Sequence, residues 1–317
     1  MNDHKPDRIS WQASFVLDIV RLVASFIVFF HHAYSMWYHN VLSEKMVHMA
    51  HFSVVVFFVL SGFLIAYTTS GNNRGAFQYA QARLSRLYSI LLPAILVSGI
   101  CQLIIFFADP ALYGQYSRPP VLLRYFLSTF FLNEIWFFSA APAINSPLWS
   151  MGYEFWYYLI FGLWFYLKKS WKSFFILLFA IVLAGPSILA MMPIWLMGCM
   201  AYRISLRRIS NSVVWLIFFF GLAISFIVLD YMNPLPFQLG IPPLHYANEF
   251  IKDGITGFFV AASVFAIARL RNSRPIPRVI TTFRKIADLT FPLYLLHFPL
   301  LILWRSFVPL RSGDILQ

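Results

Sequence analysis

The ionisable side chains Asp18, Arg21 and His32 interrupt an apolar run near the start of the chain. An ionisable group held in lipid is costly, so it marks a functional site by default. Arg21 and His32 are separated by 11 positions. In a helix that is about 1,100° of turn, so the two share a stripe to within about 20°, about 16 Å apart along the axis. Asp18 lies one turn before Arg21 and can pair with it, as a helix-locking ion pair or as part of a site. His31 points about 100° away and reads as a packing or interface residue.

Other polar residues fall at depths that match this stripe. Arg83 and Arg86, in RLSR, share one helix face. Two guanidiniums there suit a phosphate clamp, although anchoring at the cytoplasmic surface explains the spacing equally well. Glu154, in SPLWSMGYEFWYY, lies about six residues, or about 9 Å, from the end of its apolar run; His32 is about 8 Å from the end of its own. At equal depth a carboxylate can orient an imidazole for acyl transfer. Trp149 and Tyr153 of the same block, Ser61 in FFVLSGFLI, His297 in YLLHFPL, and Asp18 are candidate substrate or path-lining residues. Ser61 and Gly62 also suit close helix packing. His39, His48 and His51 cluster without an HExxH or Cys/His pattern, so no metal is expected.

Positioning such residues requires membrane helices. Of the 317 residues 60% are hydrophobic and 11% charged, and mean hydropathy is +0.71. A soluble domain carries about 45–50% apolar and about 25% charged residues, so this chain needs lipid. The net charge of +12 sits in short clusters between apolar runs. That pattern orients a membrane protein and argues against nucleic acid as a partner. Cys101 and Cys199 lie inside apolar runs and read as small buried hydrophobes. No repeat or linker is evident, so residues 1–317 read as one domain.

Apolar runs place spans at 15–37, 51–70, 87–108, 148–167, 173–191, 193–204 (short), 212–231, 247–268 and 287–308. The expected fold is all-α, a polytopic bundle of about nine to ten membrane helices. The stretch 121–138 is apolar but holds Arg124, Asn133 and Glu134, which fits a re-entrant or interfacial helix. If it does not cross and the N-terminus is cytoplasmic, 17 of the 24 basic residues fall on the cytoplasmic side. Those are Lys5, Arg8, Arg74, Arg83, Arg86, Lys168, Lys169, Lys172, Arg203, Arg207, Arg208, Arg269, Arg271, Arg274, Arg278, Arg284 and Lys285. Lys45, Arg118, Arg124, Lys252, Arg305 and Arg311 remain at or near the outer side. This asymmetry is the positive-inside pattern, and it selects nine crossings with an outer C-terminus.

Five segments now resemble one known family. LDIVRLVASFIVFFHH is similar to the first-span Arg-x10-His signature of the acyltransferase-3 family of integral-membrane O-acyltransferases. FFVLSGFLI resembles its second-span motif, RLSRLY its Arg-x-x-Arg pair, SPLWSMGYEFWYY its Trp-Ser-x-x-x-Glu block, and DLTFPLYLLHFPL its closing Tyr-x-x-His segment. The five occur in family order over residues 17–300. The family often has an acidic residue just before the second motif, where this chain has Ser53-Val54-Val55-Val56.

The resemblance implies that His32 is the essential histidine. It implies that Arg21, Arg83 and Arg86 serve acyl-CoA, with acetyl-CoA the expected donor, and that Glu154 and His297 are further site residues. The implied acceptor is a glycan or lipid-linked saccharide, and the implied location a bacterial inner membrane. The competing class is a transporter or flippase-like protein, because polar groups within spans also mark transport paths.

Overall fold

The structure, a computed structural model, describes residues 9–38, 41–71, 75–204, 209–271 and 278–308. His39, Lys5, Arg8, Arg74, Arg207, Arg208, Arg274 and Arg311 lie outside the described residues. Among the described residues every regular element is helical. The helices are α1 (Trp11–Trp37), α2 (Val41–Gly71), α3 (Ala76–Ala108), α4 (Pro110–Tyr116), α5 (Val121–Thr129), α6 (Trp149–Tyr166), α7 (Trp171–Arg203), α8 (Asn211–Tyr231), α9 (Phe250–Ile267), α10 (Arg278–Asp288) and α11 (Thr290–Phe307). Six of these are long and apolar enough to cross a membrane, by length and composition. The chain is an all-helical membrane protein.

Three boundaries differ from the pattern of apolar runs. The stretches 173–191 and 193–204 belong to one run, α7, whose helix breaks at Gly185 with φ 78°. That conformation is open to glycine, and a Cβ there would sit 2.5 Å from the Trp136 Cα. Trp136 docks into the break, donating from its N–H to the Ala184 carbonyl at 3.1 Å and accepting from the Ser187 N–H at 3.4 Å. Hydropathy cannot register such a break, because the residues around it stay apolar. The run 287–308 is α11, and a separate short helix, α10, precedes it in the basic segment that the pattern of apolar runs leaves as a loop. Finally, 121–138 is helical only to Thr129.

The described chain divides into two compact units. The first comprises 1–24, 51–79 and 189–290. Here two glycines let helices touch backbone to backbone: a Cβ on Gly62 would lie 2.0 Å from the Trp195 carbonyl oxygen, and one on Gly198 2.0 Å from that of Val59. Trp195 Nε1 donates to Ser61 Oγ at 3.2 Å, and Cys199 Sγ to the Gly62 carbonyl at 3.2 Å. Residues 195–202 therefore run parallel to residues 61–67 of α2, with Tyr202 meeting Phe63 and Tyr67. Gly221 of α8 does the same for α9, where Ser263 Oγ donates to the Phe218 carbonyl at 3.0 Å. α10 packs on the start of α1 through Phe15 and Phe283, ring centroids 4.9 Å apart.

The second unit comprises 25–50, 80–188 and 291–317. α5 lies antiparallel to α3: Tyr125 donates to Gln102 Oε1 at 2.7 Å, and Tyr88 to the Thr129 carbonyl at 3.1 Å. With nine residues, α5 is about 13 Å long, too short to cross a bilayer. The chain then turns at Phe131, φ 58°, which stacks on Phe155 at 4.4 Å and accepts from Trp156 Nε1 at 2.9 Å. Residues 132–148 follow without α-helix, up to the start of α6. Arg124 caps two carbonyls of this stretch, Ser139 and Ala141, at 3.3 and 3.2 Å. Glu134 is buried there and accepts from Asn133 Nδ2 at 3.2 Å. Burial pushes its carboxyl well above the usual carboxylate range.

Candidate active site

α1 is an unbroken helix, so it carries both Arg21 and His32. At the His32 end, within the second unit, α11 brings His297 alongside: the two imidazole centroids are 5.2 Å apart. Phe298 closes on His32 at 4.7 Å, and Phe29 meets His297 at 6.1 Å. His31 is buried next to His32, ring centroids 4.8 Å apart, and its Nδ1 lies 3.2 Å from Ser35 Oγ. His31 therefore reads as packed, as its position off the stripe predicts.

The backbone of α11 fixes the state of His297. Its Nδ1 lies 3.0 Å from the Leu293 carbonyl, an acceptor only, so Nδ1 carries a proton. Nε2 is buried and has no hydrogen-bond partner among the described residues. Two residues on, Pro299 has no N–H to give to the carbonyl four residues earlier, that of Leu295. Asn145 takes that carbonyl instead: its Nδ2 lies 2.9 Å from Leu295 O and 2.9 Å from Ser98 Oγ of α3. Asn145 thus ties α11 to α3 two residues from His297. It can do so because it stands, with φ −141° and ψ 61°, in a break of the 3-10 turn Ala143–Leu148.

Tyr294, one turn before His297, has its ring centroid 6.2 Å from that imidazole. Its hydroxyl lies 3.1 Å from Ser150 Oγ at the start of α6. Glu154, one turn further along α6, accepts a short hydrogen bond from the Tyr158 hydroxyl and lies within electrostatic range of Tyr294. Ser150, one turn before Glu154 on α6, is thus the residue that meets Tyr294, whose ring lies beside His297. Trp149 and Tyr153 are buried and pack edge to face at 5.1 Å.

Arg83 and Arg86 lie on the packed face of α3, with Leu84 and Ser85 between them exposed. The Arg83 guanidinium is 5.9 Å from the Tyr158 ring centre, and that of Arg86 5.6 Å from Phe291. In the first unit Arg21 Nη2 pairs with Asp18 at 3.1 Å and donates to the Ala287 carbonyl at 3.4 Å. Ser61 is engaged by Trp195, a helix-packing contact.

The first unit also holds charges at the N-terminal ends of the apolar runs 51–70 and 247–268, which hydropathy alone does not pair. His51 Nε2 is 2.8 Å from Asp253, and Lys252 Nζ 3.3 Å from Glu249, all four buried. Among the described residues no group of His, Cys, Asp or Glu has the arrangement of metal ligands. Tyr294 and Ser150 stand inside the Tyr-x-x-His and Trp-Ser-x-x-x-Glu segments without a role of their own in the sequence, and sequence reasoning passes over Asn145, whose one trace is Pro299, which frees the carbonyl that Asn145 takes.

The site is thus an imidazole pair set among aromatic side chains in a helical membrane protein. The chain matches the family model of an acyltransferase domain over residues 15–316 and belongs to the acyltransferase-3 family. It is similar to the acyltransferase MdmB of Streptomyces mycarofaciens, 29% identical over 118 residues, a match covering 37% of this chain and 29% of that protein. The match thus spans less than a third of the length of this curated relative. No solved structure matches the chain.

Proposed function

We propose that the protein is a membrane O-acyltransferase that moves an acyl group, acetyl by preference, from cytoplasmic acyl-CoA to a hydroxyl of an extracytoplasmic or lipid-linked glycan. The observation that carries this reading is the His32–His297 pair, 5.2 Å apart, with a buried acceptor nitrogen on His297. Family membership supplies the reaction class. The basic residues support a bacterial inner-membrane orientation with the N-terminus inside.

Guanidiniums suit the phosphates of the donor, and Arg83, Arg86 and Arg21 are the candidate contacts on the cytoplasmic side. The pantetheine arm runs along α1 from Arg21 toward His32, a rise of about 16 Å. His32 removes the proton of the acceptor hydroxyl as that oxygen attacks the thioester carbonyl. The new C–O bond forms, the C–S bond breaks, and His32 returns the proton to the departing thiolate. While His32 is charged, its N–H can donate to the acceptor Nε2 of His297. Glu154, with Tyr294 and Ser150, adds negative charge and fixed dipoles beside that imidazolium.

The test is transfer by purified protein from radiolabelled acetyl-CoA to candidate glycans. His32→Ala is expected to abolish transfer in a protein that still folds in membranes; retained wild-type transfer overturns the reading. Arg83→Ala with Arg86→Ala is expected to weaken acyl-CoA binding. Movement of glycan across the membrane without acylation would establish the transporter class instead.

A further inference from the structure

A cavity of about 450 Å³ opens in the first unit, lined by Trp11, Ser14, Asp18, Arg21, Tyr67 and Arg284 with aliphatic side chains between them. Small-molecule sites run about 300–1,000 Å³, so its size is that of a ligand pocket. Its chemistry is specific. Two guanidiniums face one carboxylate, and Asp18 is already paired with Arg21. Asp288 lies within electrostatic range of Asp18 but does not line the cavity. Arg284 is partly buried, and its Nε is sealed from water with no hydrogen-bond partner among the described residues. A buried donor in that state costs about 1–3 kcal/mol unless something accepts from it.

The position of Arg284 is enforced by packing. Phe283 beside it is locked edge to face on Phe15 of α1, and the Ala287 carbonyl one turn later accepts from Arg21. α10 is thus clamped to α1 from both sides of Arg284. The remaining walls are aromatic: Trp11 and Tyr67, the latter braced by Tyr202 at 5.6 Å. Flat aromatic faces beside a guanidinium suit a purine base and its phosphate.

We propose that this cavity binds the phosphate-bearing nucleotide end of acyl-CoA, with Arg284 as a phosphate contact and Trp11 and Tyr67 as walls for the base. This rests on the acyl-CoA reading above and adds to it a residue that charge patterning assigns to topology alone. The phosphate of an anionic lipid headgroup offers the same chemistry, and the experiment separates the two.

The probe is adenosine 3′,5′-bisphosphate, titrated calorimetrically into full-length protein in phosphatidylcholine nanodiscs. Wild type is expected to bind, and Arg284→Gln to bind at least tenfold more weakly, with Arg284→Lys between them. Matched thermal unfolding of the three proteins establishes that each is folded. In transfer assays Arg284→Gln is expected to lower kcat/KM for acetyl-CoA more than for S-acetyl-pantetheine, which lacks the nucleotide. Equal nucleotide binding by wild type and Arg284→Gln overturns the proposal. So does binding of phosphatidylglycerol, in mixed nanodiscs, with none of the nucleotide. Failure of the acyl-CoA reading is distinct: the nucleotide binds in an Arg284-dependent way, yet no acyl group is transferred from acetyl-CoA. That outcome keeps the cavity as a nucleotide site and overturns its assignment to the donor.

Discussion

The Nε2 of His297 is buried and unpartnered among the described residues, and the His32 ring lies 5.2 Å away, centroid to centroid. The Leu293 carbonyl holds the proton of His297 on Nδ1, which leaves Nε2 as an acceptor facing a site rather than a lattice of satisfied bonds. We expect His297→Phe to fill the same volume and to cut kcat by about 10²–10⁴-fold, the range of a lost acid–base group. Unchanged kcat with unchanged KM would leave His297 as packing.

Asn145 positions that histidine at one remove. Asn145→Leu removes both Nδ2 contacts and leaves the Leu295 carbonyl, freed by Pro299, without its donor. The expected cost is about 1–3 kcal/mol of stability. Activity should fall through kcat rather than KM, because the donor site is untouched. Thermal unfolding in detergent and steady-state kinetics check both parts.

The glycine pair Gly62 and Gly198 sets a backbone contact that no side chain can enter, since a Cβ on either would meet a carbonyl oxygen at 2.0 Å. Gly62→Leu should separate the helices, at about 1–3 kcal/mol or more of overpacking cost. The readout is the yield of monodisperse protein on size-exclusion chromatography, which should collapse for Gly62→Leu. In Gly71→Ala, where a Cβ meets nothing within 4 Å, it should persist.

Glu134 has a pH signature. Burial raises its carboxyl from the ordinary value of 4.5. A carboxyl with a raised folded pKa favours the protonated fold, so its contribution is greatest below the unfolded pKa. That contribution is lost as pH rises from about 4.5 through the raised value. Glu134→Gln keeps the shape and cannot ionise. Its unfolding temperature should match wild type in acid and exceed it at neutral pH. A wild-type curve that rises with pH relative to the variant would contradict this assignment.

The buried charges of the first unit should behave as an interdependent set. Lys252→Met alone strands Glu249 in the interior, at about 3–5 kcal/mol. Adding Glu249→Met should recover much of that loss, because two apolar groups replace two buried charges. A double variant no more stable than the single one would show that the pair does not act as a unit.

Much of this architecture is legible in the sequence because lipid enforces local rules. Apolar runs match α1, α2, α3, α6, α8 and α9 to within about ten residues at the N-terminal ends and closer at the C-terminal ends. The pairing of Asp18 with Arg21, the packed face of Arg83 and Arg86, and the packing of His31 follow from helical spacing. Hydropathy misses what depends on a single backbone angle, such as the break at Gly185, and what depends on hydrogen bonds between distant segments, such as the turn of 121–138 after Thr129.

The sequence by itself determined the solvent, the helices, and an arginine and histidine on one face of the first of them, because an ionisable residue in a 20-residue apolar run is visible without neighbours. Only the tertiary structure decided which residues meet. His297 comes to His32 from 265 positions away along the chain, Asn145 captures a carbonyl freed by a proline on another helix, and Arg284 turns from a surface charge into the wall of a cavity. These are contacts between elements, and helical periodicity carries no information about partners beyond its own helix.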